Sequence, residues 1–325
     1  MTTRRRLLVG AGALATASVS MAVGQRVKHV LDQPRTAAAT FACPDYDEAR
    51  LVDTLTRGLA QFPQTLARAK GGRVVLKPNI VEYHPDHPIN TDARFLAAAV
   101  VAFKKHGAAE VLIAEGPGHH RDSELLLERT GLHVLMKEVG TRFVDLNLDK
   151  PVDLKLVRNL TGMGRMKLAG TAVGADLLVS CAKLKCHHWV GVTLTMKNLF
   201  GVFPGAVYGW PKNPLHWAGL EQSILDIWDL LPNTFGLVDG IIGMEGDGPI
   251  KGTAKQVGAI VMGPQLPAVD ATCARLMGFS AGELGFLRVA ARLGGTVEPS
   301  RIEDRGETVE VSPFQVLPQF EYLLR

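Results

Sequence analysis

The stretch Leu177-Leu178-Val179-Ser180-Cys181-Ala182-Lys183-Leu184-Lys185-Cys186-His187-His188 decides the fold. Its first half is an unbroken run of apolar and small residues, the pattern of a strand covered on both faces rather than one. Its second half turns cationic without a helical period, so the strand delivers lysine and imidazole groups to the place where it ends. From Leu177 to Leu220 the chain carries four lysines (Lys183, Lys185, Lys197, Lys212), three histidines (His187, His188, His216) and no Asp or Glu. Cations gathered without carboxylate partners predict a pocket for an anionic ligand.

Working outward, helical and strand patterns alternate. Asp47 to Phe62 reads as a helix, and Arg73 to Pro78 as a short strand ending at Asn79. Thr91 is placed to cap a helix running through Lys105, because Phe95, Leu96, Ala99, Val100 and Phe103 share one face and Gly107 stops it. Glu110 to Ala114 is the next strand. A helix from Ser123 to Val139 leads to a strand at Phe143 to Leu146. Beyond the cationic segment come a helix at His216 to Leu230, strands at Phe235 to Val238 and Gly258 to Gly263, and helices near Ala268 to Met277 and Glu283 to Leu293.

This order predicts an α/β fold, a mostly parallel, doubly wound sheet with crossover helices, formed as a single domain over residues 45–325. Ligands of open parallel sheets bind beyond the carboxyl ends of the strands. Four such ends, Lys77-Pro78-Asn79, Glu115-Gly116-Pro117-Gly118, Lys183 to His188 and Asp239-Gly240, are expected to converge.

Composition is that of an ordinary globular protein, 46% hydrophobic and 21% charged. The formal charge is +4, of which Arg4, Arg5 and Arg6 carry three. The remainder is close to neutral, so no nucleic-acid partner is implied. The arginines precede an uncharged, mildly apolar stretch from Leu7 to Gly24 that reads as a twin-arginine export signal, residues 1–24, cleaved before Gln25. The expected partner is then the twin-arginine translocation machinery and the expected location periplasmic; an uncleaved membrane anchor is the alternative. Residues 25–44, polar and rich in Ala and Thr, read as a linker. The four cysteines (Cys43, Cys181, Cys186, Cys273) lack CxxC spacing and form no disulfide framework.

Several residues are candidates for chemistry. His187 with Lys185 and Asp239 forms the expected catalytic set, since an imidazole among lysines is held neutral and basic. Lys77, Asn79, Glu115, Gly116, Lys197, Asn198 and Glu245 are the expected ligand-binding residues. Cys186, flanked by Lys185 and His187, would be a low-pKa thiol if those cations approach it, and Cys186 with His187 is the candidate metal-ligand pair. His119-His120, after the Gly-rich turn, offers a third arm or is merely exposed. Asp239, Glu245 and Asp247, set among four glycines, either approach a ligand or cation closely or neutralise the lysines. Trp189, Trp210 and Trp217 form a pocket wall or pack a lid.

At these residues the chain resembles the "domain of unknown function 362" family. The resemblance rests on Leu76-Lys77-Pro78-Asn79, Lys183-Leu184-Lys185-Cys186-His187, Met196-Lys197-Asn198-Leu199-Phe200-Gly201, Pro204-Gly205, Val238-Asp239-Gly240 and Met244-Glu245-Gly246-Asp247-Gly248-Pro249. It covers most of residues 70–280 and implies a fold and a site position without a reaction. Cys186 stands where the family often has Thr. Some members carry iron-sulfur modules, for which this chain has no cysteine pattern. A more distant likeness, to nickel-pincer lactate racemases, implies paired histidines moving a proton around a phosphate-bearing cofactor. Residues and resemblance together give an exported enzyme acting on a small anionic ligand, or through a metal ion or phosphate-bearing cofactor. The alternative is a non-catalytic periplasmic binding or cofactor-carrier protein.

Overall fold

The strand expected at Leu177 is the spine of a nine-stranded sheet. The computed structural model describes residues 33–118 and 122–324. The readings of a twin-arginine signal at 1–24, of a linker over its first part, and of His119-His120 therefore lie outside the described residues.

The strands are β1 (Thr36–Ala42), β2 (Arg73–Pro78), β3 (Glu110–Glu115), β4 (Phe143–Asp145), β5 (Pro151–Lys155), β6 (Arg165–Ala169), β7 (Leu177–His187), β8 (Gly191–Thr193), β9 (Thr234–Glu245), β10 (Thr253–Gly263) and β11 (Ile302–Gly306). The main sheet runs β11-β1-β10-β9-β7-β2-β3-β4, with β8 paired to β7; β5 and β6 form a separate hairpin. From β9 through β7, β2 and β3 to β4 every pairing is parallel. Only β10, which joins β9 and β1, runs antiparallel along that path. The fold is thus α/β with a mostly parallel central sheet, as the alternation implied.

Side-chain alternation along β7 explains why its apolar run is continuous. Leu177, Val179 and Cys181 point into the core beneath the helices Glu48–Ala60 and Ala93–Lys105. Leu178, Ala182, Leu184 and Cys186 point into the core on the other face, under Leu266–Leu276 and Gly285–Arg292.

Chain order also fixes where the site lies. After β2 the chain adds β3 and β4 on one side, then returns to place β7 on the other. The crevice between the carboxyl ends of β2 and β7 is therefore a topological switch point. Register sharpens it: Pro78 pairs with Cys181 at the end of β2, whereas β7 continues six residues further to His187. That overhang replaces β2 as neighbour by folding into β8, with Lys185 opposite Thr193 and His187 opposite Gly191. The three-residue loop His188-Trp189-Val190 closes on Gly191 at φ 80°, the left-handed position such hairpins demand.

Some expectations need correction. Thr36–Ala42, expected to be linker, is an internal strand paired on both edges, parallel to β11 and antiparallel to β10. Its Ala and Thr side chains give little hydropathic signal, and its place is set by partners more than 200 residues away in sequence. The helices expected at 123–139 and 216–230 each divide at a glycine with positive φ, Gly131 at 70° and Gly219 at 100°. Asp92, not Thr91, caps the helix Ala93–Lys105 by accepting from Arg94 N–H at 2.9 Å; Thr91 Oγ1 instead donates to Cys181 O at 2.8 Å. Finally β9 does not end at Asp239-Gly240 but runs on to Glu245.

Candidate functional site

A cavity of about 390 Å³ opens at the switch point. Lys77, Asn79, Glu115, Gly116, Lys185, His187, Lys197 and Asn198 all line it, so eight of the expected site residues do converge. His188, Thr193, Phe200, Lys212 and His216 join them. Lys212, counted from sequence only among the cationic residues of this segment, enters from a loop where its own φ is 66°.

The floor is one hydrogen-bonded network. Lys77 Nζ donates to Glu115 Oε2 at 2.6 Å, to Asn198 Oδ1 at 3.1 Å and to Pro78 O at 2.7 Å. The Glu115 carboxylate also accepts from Ile80 N–H at 3.1 Å and Gly116 N–H at 2.8 Å, which occupies both oxygens. Burial pushes the Lys77 amine down from its ordinary value, and the Glu115 charge pulls it back. Asn198 Nδ2 donates to Lys77 O and Ser180 Oγ, each at 3.0 Å. It sits on the short helix Thr195–Asn198, whose first N–H groups are held by the buried Asp270 carboxylate, 2.8 Å from Thr195 N and 3.0 Å from Met196 N. Burial pushes Asp270 up to about 7.

Three further lysines face the cavity without a carboxylate. Lys185 is wholly buried and donates only to backbone carbonyls, Ile89 O at 2.7 Å and Pro249 O at 3.3 Å. Burial, aided by the charges of Lys197 and Lys183, holds it well below the usual lysine range. Lys212 Nζ donates to Gly116 O at 2.8 Å, and burial pushes it down to about 7. Lys197 Nζ lies over the Phe200 ring, 4.6 Å from its centroid, and burial followed by the Lys77 charge pushes it down to about 8. Among the described residues Glu115 is the one carboxylate lining the cavity, and it is committed to Lys77.

The histidines differ in what they can do, and hydrogen-bond polarity tells them apart. Trp189 N–H donates to His187 Nδ1 at 3.1 Å, so the neutral ring carries its proton on Nε2 and offers a donor. Burial, then the Lys197 charge, keeps His187 well below the ordinary imidazole value and therefore neutral. His188 Nδ1 lies 2.9 Å from Gly248 O, a pure acceptor. That nitrogen must carry the proton when the ring is neutral, which places the lone pair of His188 on Nε2. Of the two adjacent histidines, His187 thus presents a donor and His188 an acceptor at Nε2. A one-residue step along the chain changes the available partner, which no sequence pattern encodes.

Other expected site residues lie elsewhere. Asp239 is fully buried beside Lys183, not in the cavity: Lys183 Nζ is 2.9 Å from Oδ2, Tyr46 OH donates to Oδ1 at 2.8 Å, and Asp92 N–H donates to Oδ2 at 3.0 Å. It ties β9 and β7 to the loop after β1 and to a helix N-terminus. Glu245 pairs with Lys255 at 3.0 Å and accepts from Gln315 N–H at 3.0 Å, and Asp247 is exposed. Cys186 and His187 point to opposite faces of β7, and the thiol rests 3.6 Å from Gln315 O. Burial pushes that thiol up to about 12 instead of lowering it. The pair cannot share a metal, and among the described residues no group of three His, Cys, Asp or Glu is placed to hold one.

The comparisons with known proteins cover this same region. The sequence profile of a family described as "Domain of unknown function (DUF362)" matches residues 74–275, which contain every cavity-lining residue named above. The chain is similar to a thylakoid-associated protein of Synechocystis sp., 23% identical over 230 residues, covering 69% of this chain and 68% of the relative. A crystal structure of a protein from Thermotoga maritima aligns with a TM-score of 0.39 at 12% identity, covering 76% of this chain; the match spans 59% of that protein's length.

Proposed function

The chain belongs to the family described as domain of unknown function 362, and we propose that its cavity binds a small organic anion and shifts a proton on it. The observation that carries this reading is the set Lys185, Lys197 and Lys212, turned to one cavity whose single described carboxylate is already paired. An anion there supplies the missing countercharge. Each charge-assisted hydrogen bond it accepts contributes about 1.5–3 kcal/mol. In this scheme Lys197 and Lys212 hold the anion, His187 Nε2–H donates to it, and the free Nε2 of His188 accepts the proton.

Thermal melts with phosphate, sulfate, citrate and small 2-hydroxy acids test the binding step. The expected result is an anion-dependent rise in Tm that follows mass action and is mostly lost in Lys197→Ala. A wild-type Tm indifferent to all of these anions ends the reading. Proton NMR of the stabilising acids in deuterium oxide tests the second step. Binding without exchange of a carbon-bound proton returns the protein to the carrier class.

Export through the twin-arginine route is part of the same proposal, supported by Arg4-Arg5-Arg6 ahead of the uncharged Leu7 to Gly24. Lysine at positions 4 and 5 is expected to leave the protein in the cytoplasm. Unchanged translocation excludes that route.

A further inference from the structure

Two polar atoms within the cavity wall are buried and have no hydrogen-bond partner, Asn79 Oδ1 and Thr193 Oγ1. Buried unpaired polar atoms are uncommon in folded proteins, and at a cavity they point to a missing partner. The orientation of Asn79 is fixed by its neighbours. Asn198 must turn Nδ2 toward Lys77 O, which only accepts, so its Oδ1 faces Lys77 Nζ and Asn79. Asn79 therefore presents Nδ2 to that oxygen at 3.2 Å and leaves its own Oδ1 as an orphan acceptor, with the residue 8% exposed. An acceptor calls for a donor. Inorganic phosphate at neutral pH offers little there, whereas a hydroxyl satisfies it.

The mouth of the cavity supplies a second, independent observation. Trp189 and Trp217 line it yet are 63% and 80% exposed, although a tryptophan left in water forgoes a large burial gain. Trp189 packs edge-on against His216 with centroids 5.6 Å apart, and His216 lies 5.2 Å from Phe200, over which Lys197 sits. A continuous aromatic arc thus leads from the cationic floor to the exposed indole of Trp189, and Trp217 lines the same cavity. Such a surface is a stacking platform for a flat ring.

Resting on the anion reading above, we propose that the occupant is a ring-bearing organic phosphate of the mononucleotide class. Its phosphate meets Lys197 and Lys212, its sugar hydroxyls meet Asn79 Oδ1 and Thr193 Oγ1, and its planar ring stacks on Trp189 and Trp217. A cavity of about 390 Å³ with an open mouth accommodates a ligand of that size.

Calorimetry and tryptophan fluorescence on the full chain test the proposal. The probes are the four ribonucleoside 5′-monophosphates, flavin mononucleotide, ribose 5-phosphate, adenosine and inorganic phosphate. At least one ring-bearing monophosphate is expected to quench the indole emission and to bind about tenfold or more tighter than ribose 5-phosphate. Trp189→Ala and Trp217→Ala are expected to bring that ligand down to the affinity of ribose 5-phosphate. Asn79→Ala, checked for folding by circular dichroism, is expected to narrow the gap between ribose 5-phosphate and inorganic phosphate. If no ring-bearing phosphate binds tighter than ribose 5-phosphate, or the tryptophan variants leave the gap intact, the ring assignment is overturned while the anion reading stands. If inorganic phosphate and every organic phosphate fail to bind, the phosphate assignment is overturned, and the anion reading falls with it only when sulfate, citrate and the 2-hydroxy acids also leave Tm unchanged.

Discussion

Lys77 Nζ and Glu115 Oε2 lie 2.6 Å apart with both side chains almost fully buried, and this pair takes the one carboxylate that lines the cavity among the described residues. It joins β2 to β3 at their carboxyl ends and leaves the remaining cavity lysines without an acidic partner. Gly201 packs so close to the pair that a Cβ there would lie 2.0 Å from Glu115 Oε1.

Replacing Glu115 by Gln is expected to leave a buried ammonium uncompensated and to cost about 3–5 kcal/mol of folding stability, read from urea denaturation. Gly201→Ala drives a methyl into the same pair and is expected to cost about 1–3 kcal/mol. Wild-type stability in either variant would mean that the pair does not hold the site together.

The pH dependence has opposite signs for folding and for binding. Burial lowers Lys197 to about 8 and Lys212 to about 7, against roughly 10.4 for an unfolded lysine. Between those values the unfolded chain holds protons that the folded chain lacks, so their contribution to stability rises with pH from about 7 to about 10. Sulfate keeps its charge over this range and needs charged lysines. Its affinity is expected to strengthen as pH falls from about 9 to about 6.5, with proton uptake visible by calorimetry in two buffers.

The two adjacent histidines are expected to be opposite tautomers. Long-range proton–nitrogen NMR at neutral pH should find His187 protonated at Nε2 and His188 at Nδ1, as their partners Trp189 N–H and Gly248 O require. A neutral His188 protonated at Nε2 would remove it as the proposed base.

Asp239→Asn is expected to destabilise the fold by about 3–5 kcal/mol, because the buried Lys183 loses its counter-ion and Tyr46 keeps only part of its bonding. Anion affinity measured on the folded fraction is expected to stay at the wild-type value. A lost affinity with unchanged stability would restore Asp239 to the site.

The run Leu177 to Ala182 by itself pointed to a doubly covered strand, because burial on both faces is what suits apolar and small residues without alternation. The lysines and histidines that follow marked the end of that strand as a site, since a cationic segment without acids must meet its countercharge elsewhere. Local chemistry also announced most helices, which depend on period and caps. Partners distant in sequence decided the rest. Thr36–Ala42 became an internal strand because β10 and β11 pair with it, not because its own residues demand it. Asp239 and Glu245 read like Glu115 along the chain, yet strand pleat and register turned Asp239 to Lys183 and Glu245 to Lys255 while Glu115 met Lys77 at the cavity. Which histidine holds a free lone pair depended on single hydrogen bonds from Trp189 and to Gly248. Lys212 reached the site only through the fold of its loop. Residue type sets which chemistry is available; direction and partnership exist only once the chain has closed.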